Sequence, residues 1–168
     1  MAKSAKITFK IPCLKSVLSG LKYIHEQMFV HLDLKPSNIS SNTLNDTWKI
    51  SDFGASVNLD KQTGNHSSKS VQTAISCTIP FTATEIFIRD TISTKADIYN
   101  FSCVMWCLFQ WWNILYSNFM ADVIIFSVCS KNTRPRFKCA LQKERGLCMK
   151  SWNVDPKNRP TAEELVNE

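Results

Sequence analysis

Two acids, an amide and a lysine lie close together in this 168-residue chain: Asp33, Lys35 and Asn38 in His31-Leu32-Asp33-Leu34-Lys35-Pro36-Ser37-Asn38, and Asp52 in Asp52-Phe53-Gly54. Asp33 is the kind of group that accepts a proton, and Asn38 and Asp52 offer the hard oxygens that Mg²⁺ takes. Gly54 frees the backbone just after the second acid. Ile39–Ser41 and Thr47–Ile50 read as strands around the turn-forming Asn42-Thr43-Leu44-Asn45-Asp46. A hairpin would fold Asn38 back onto Asp52 and make one metal site from two segments.

These strings resemble the catalytic loop and the metal-binding loop of eukaryotic protein kinases, H-R-D-L-K-x-x-N and D-F-G, with Leu32 in place of the arginine. The resemblance implies ATP and Mg²⁺ as cofactors and a protein as substrate. It makes Asp33 the catalytic base and Lys35 the group that steadies the transferring phosphoryl. Asn38 and Asp52 become the Mg²⁺ ligands, with His31, Phe53 and Gly54 as structural parts of the two loops. In this family a lysine at the position of Lys35 marks serine/threonine kinases. The wording at both loops is most similar to the Mos kinases.

A second signature lies near the end, where Cys148-Met149-Lys150-Ser151-Trp152 and Asp155-Pro156-Lys157-Asn158-Arg159-Pro160 resemble C-W-x-x-D-P-x-x-R-P. In the family that arginine pairs with the glutamate ending the activation segment, here Glu85 in Cys77-Thr78-Ile79-Pro80-Phe81-Thr82-Ala83-Thr84-Glu85. Thr78 then sits beside Asp33 and Lys35 as the substrate-loop threonine. Cys77 and Thr84 depart from the family's glycine and proline at those places.

The positioning elements follow from periodicity. From Cys13, the residues Leu14, Val17, Leu18, Leu21 and Ile24 recur at helical spacing, predicting an amphipathic helix that ends near His25-Glu26-Gln27; Met1 to Pro12 is an uninformative basic lead. Thr94 to Asp97 reads as a helix start with Thr94 as cap, and Ile98 to Trp112 is apolar on every side, so that helix belongs at a centre. In the kinase resemblance Asp97 holds the backbone of the catalytic loop. Val123–Cys129 reads as a further helix and Thr161 with Glu164 as a capping box, while Arg134-Pro135-Arg136 resembles the R-P turn of many kinases. The uncharged run from Ile98 to Ala121 is long enough to cross a bilayer, but Asn100, Gln110, Asn113, Ser117 and Asn118 argue against a membrane span.

Ala55 to Ser76 is polar and reads as a loop, the activation segment of the resemblance, with Ser67, Ser68, Ser70 and Thr73 as candidate phosphosites. Leu32 removes the arginine that pairs with such a phosphate, which favours an unregulated loop. The seven cysteines form no C-x-x-C pair, their number is odd and no secretory signal opens the chain. Free thiols and a cytoplasmic location follow as expectations, with Cys103 and Cys107 as packing residues. The net charge of +6 reads as a mildly basic surface spread through the sequence, without the clustered Lys and Arg among aromatics that a nucleic-acid partner needs.

The expected fold is mainly α: the helical lobe of a kinase, with a small β-hairpin carrying the catalytic and metal-binding loops. Residues 1–168 read as a partial kinase domain, the C-terminal lobe, with no counterpart of the N-terminal lobe's glycine-rich loop or strand lysine. The expected function is serine/threonine phosphorylation by a Mos-like kinase, with this chain inactive by itself. The alternative is a non-catalytic, pseudokinase-like binding module, favoured by Cys77, Thr84 and Ser40, the last where kinases place an aliphatic side chain beneath adenine.

Overall fold

The computed structural model describes residues 9–42, 47–60, 78–88, 91–110, 115–137 and 142–168. The first helix, α1 (Lys10–Glu26), buries Cys13, Leu14, Val17, Leu18 and Leu21 along one stripe. It begins before Cys13 and includes Pro12, because a proline in the first turn gives up an N–H that has no intrahelical acceptor there. Strand β1 (Phe29–Val30) leads into the loop bearing Asp33, and a 3₁₀ turn over Pro36–Asn38 leads out of it.

Strands β2 (Ile39–Asn42) and β3 (Thr47–Ile50) pair antiparallel, with Ile39 opposite Ile50 and Asn42 opposite Thr47. The tip of the hairpin, residues 43–46, lies outside the described residues. After a second 3₁₀ turn over Phe53–Ala55, β4 (Val57–Asn58) returns antiparallel to β1, Val57 opposite Val30. The two small ladders clamp the two loops from both ends. Helix α1 lies against β3. A Cβ on Gly20 would stand 3.1 Å from Ile50 Cδ1, so a larger residue there would press on the end of the Ile50 side chain.

The remaining lobe is helical: α2 (Thr84–Ile88), α3 (Thr94–Phe109), α4 (Ala121–Ser130), α5 (Gln142–Ser151) and α6 (Ala162–Asn167). Every residue of α3 from Ala96 to Phe109 is buried, as its unbroken apolar pattern requires. Sixteen residues give a helix of about 24 Å, short of the ~30 Å of a bilayer core. Among the described residues no helix is long and apolar enough to cross a membrane. The cap of α3 differs from expectation: Ser93 occupies it without a side-chain bond, and Asp97 points its carboxylate elsewhere. The expected capping box on α6 is present, with Thr161 accepting from the Glu164 N–H and the Glu164 carboxylate accepting from the Thr161 N–H.

Candidate active site

Helix α3 positions the catalytic-type loop through one buried carboxylate. Asp97, fully buried, accepts the backbone N–H groups of His31 and Leu32, each at 2.8 Å, and meets His25 Nε2 at 2.9 Å. Leu32 adopts a left-handed backbone, φ 66°, which disfavours a residue with a Cβ. Two charge-assisted bonds at adjacent amides offset that strain. His25 is the residue that sequence reasoning missed; its one signal was a histidine closing an apolar helix face. His31 accepts the Asp33 N–H at Nδ1, 3.3 Å away, which places its proton on Nε2, facing the Ser51 carbonyl at 3.1 Å. The Phe53 ring stands edge-on to it with centroids 4.9 Å apart, tying the second loop to the first.

On that backbone the polar groups converge. The Asp33 carboxylate receives Lys35 Nζ at 2.7 Å on one oxygen and the Thr78 hydroxyl at 2.6 Å on the other. Lys35 also donates to the Thr78 oxygen at 2.8 Å, closing a triangle of acid, cation and hydroxyl. Asn38 Nδ2 donates to the Asp33 carbonyl at 2.9 Å and to its Oδ2 at 3.1 Å. Burial opposes ionisation of Asp33, but hydrogen bonds from Lys35, Thr78 and Asn38 and the Lys35 charge outweigh it. The carboxyl is therefore held below the usual carboxylate range.

The hairpin delivers the second acid. The Ser51 N–H and hydroxyl both donate to the Asn38 carbonyl, at 2.9 and 3.1 Å, so Asn38 and the residue before Asp52 are joined directly. Asp52 itself is left-handed, φ 63° and ψ 74°, and one of its oxygens accepts the Gly54 N–H at 3.3 Å. This corrects the role read for Gly54. No described glycine has positive φ, and the unusual backbone falls on the acid, a residue type that tolerates it better than most.

The donor set fits Mg²⁺. With its Nδ2 committed to Asp33, Asn38 keeps its amide oxygen, approached only by the Ser37 hydroxyl at 3.4 Å, and Asp52 presents an exposed carboxylate. Among the described residues no group of three or more His, Cys, Asp or Glu could hold a metal. Two protein oxygens suit an ion that completes its shell with water and phosphate.

Glu85 and Arg159 meet although they lie far apart in sequence. Arg159 forks onto Glu85 with two bonds of 2.7 Å, both side chains buried, and also donates to the carbonyls of Asn153 and Lys95. Cys77 and the hydroxyls Ser67, Ser68, Ser70 and Thr73 lie outside the described residues, as does most of the predicted activation segment.

The protein kinase domain pattern matches residues 8–168. Mitogen-activated protein kinase kinase kinase 13-A of Xenopus laevis is 30% identical over 151 residues, 89% of this chain and 15% of that protein. Mitogen-activated protein kinase kinase kinase 12 of Rattus norvegicus is 30% identical over 151 residues, covering 16% of its length. The proto-oncogene serine/threonine-protein kinase mos of Sus scrofa is 31% identical over 167 residues, 92% of this chain and 45% of that protein. The Mos likeness read from the two loops is thus present, in the company of other kinases, and the chain spans less than half the length of each of these relatives. With a match that runs from residue 8 to the last residue and embraces both loops and the Glu85–Arg159 pair, the chain belongs to the protein kinase domain family.

Proposed function

We propose that residues 1–168 form the larger, C-terminal lobe of a serine/threonine protein kinase of Mos-like type, which transfers the γ-phosphoryl group of ATP to hydroxyls of a protein substrate. The observation that carries this reading is the Thr78 hydroxyl held between the Asp33 carboxylate and the Lys35 ammonium. The site already accommodates a hydroxyl between a proton acceptor and a cation, which is the environment an attacking serine or threonine needs. As the substrate oxygen bonds to the γ-phosphorus, its proton passes to Asp33 and the bond to the β-phosphate oxygen breaks. Lys35 balances negative charge on the moving phosphoryl group, and Asn38 and Asp52 hold Mg²⁺. When bound, the metal neutralises charge on the phosphates. A cytoplasmic location, where ATP is available and thiols stay reduced, goes with this reading.

The test uses a protein that joins residues 1–168 to an N-terminal kinase lobe. Asp33→Asn should lower transfer of labelled phosphate from ATP to a serine-rich protein by about 100-fold or more. The circular dichroism spectrum should be unchanged. Because the Asp33 carboxyl is held low, the base form persists through the neutral range and is lost only as pH falls through its depressed value. Unchanged turnover in the variant would dismiss the assignment.

A further inference from the structure

The surplus charge is not spread along the chain as the sequence reading has it. Residues 131–150 hold seven Lys and Arg against the single acid Glu144, which accounts for the whole net charge of +6; outside this stretch acids and bases balance. The fold gathers three of these cations around one cavity of about 290 Å³, lined by Arg134, Arg136 and Arg145 with Pro135, Phe137 and Met149. Among the described residues none of its walls is acidic.

Arg134 is fixed in place. Its Nε donates to the Trp152 carbonyl at 3.1 Å, its Nη1 to the carbonyls of Val128 and Thr133, and its guanidinium lies over the Tyr99 ring, 5.3 Å from the centroid. Its Nη2 is buried with no acceptor among the described residues. A buried donor without a partner is costly, and an entering anion oxygen is a group that could relieve it. Arg136 and Arg145 are exposed at the rim and can close on a ligand.

We propose that this cavity binds the phosphate of a phosphorylated peptide segment of a protein partner. Three guanidiniums without a neutralising carboxylate favour a dianion, which they can grip through paired N–H···O bonds. The apolar wall of Pro135, Phe137 and Met149 suits a hydrophobic side chain beside the phosphate. A nucleic acid would need a stacking platform, and the one aromatic wall among the described residues, Phe137, is already packed on Trp152 with centroids 5.7 Å apart. The site lies on the segment between α4 and α5 and on α5 itself, away in sequence from the loops that carry Asp33 and Asp52.

The experiment is fluorescence anisotropy on the purified chain with a short fluorescein-labelled peptide bearing one phosphoserine followed by leucine. Its unphosphorylated twin, a single-stranded oligonucleotide and phosphatidylserine vesicles are the comparison ligands. The phosphopeptide should bind at least about tenfold more tightly than its twin. The double variant Arg136→Glu/Arg145→Glu should weaken it about tenfold or more, and about 0.5 M salt should weaken it likewise. Both residues are exposed, so the thermal unfolding of the variant should match that of the parent. Equal affinity for the two peptides, undiminished binding by the double variant, or capture of the oligonucleotide or vesicles without the phosphopeptide would each overturn the proposal.

Discussion

Removing Arg159 should be among the most damaging single changes in the lobe. Its side chain is 0% exposed and Glu85 opposite is 3% exposed, so neither charge has water to fall back on. Arg159→Met keeps much of the volume but strands the Glu85 carboxylate and withdraws the donors that serve the carbonyls of Asn153 and Lys95. It also removes the guanidinium from the Tyr99 ring, 5.1 Å away. Breaking a buried pair from one side costs about 3–5 kcal/mol. Total stability for a domain is of order 5–15 kcal/mol, so the variant should sit near its threshold, with Tm lowered by about 10 °C or more. The assay is urea unfolding followed by far-ultraviolet circular dichroism, which reads the helical lobe as a whole. A cycle with Glu85→Leu completes the argument: the double variant should be less destabilised than the sum of the two singles by about 2 kcal/mol or more. A loss below about 1 kcal/mol for Arg159→Met, or strict additivity, would refute the reasoning.

Asp97→Ala should free the amides of His31 and Leu32 and relax the left-handed Leu32, so hydrogen exchange at both amides should rise well above that of the α3 interior; unchanged exchange would count against the role given to this acid. Among the described cysteines, burial pushes Cys103 and Cys107 up to about 12 and Cys13 to about 11, and it also holds the Cys148 thiol well above its ordinary value. Cys129, only partly buried, should therefore be alkylated by iodoacetamide ahead of the other four described cysteines, as peptide mass spectrometry would record; labelling of Cys103 at the same rate would contradict the packing. Residues 1–168 alone should bind Mg·ATP weakly, because the parts that hold the triphosphate from above are not among them and Phe53 is 48% exposed. Calorimetry showing micromolar binding, with transfer abolished by Asp52→Ala, would reverse that expectation.

Much of the site was legible in the chain because its chemistry is local. Asp33, Lys35 and Asn38 share one loop, and a short hairpin was enough to return Asp52 to them, so spacing alone implied the grouping. The apolar stripe of α1 and the all-round apolar α3 were equally plain, since burial dictates residue type at helical spacing. The clustering of charge in residues 131–150 was also written in the sequence, though its meaning depended on the cavity that gathers three of the arginines. Other features were decided only by the tertiary structure. That Asp97 reaches the catalytic-type loop was expected from the kinase resemblance, but that His25 closes on the same carboxylate depends on which donors the fold brings within reach. Likewise the left-handed backbone settled on Asp52 and not on Gly54, because the path of the chain between β3 and β4 sets the dihedral angles and the residue type only sets their cost.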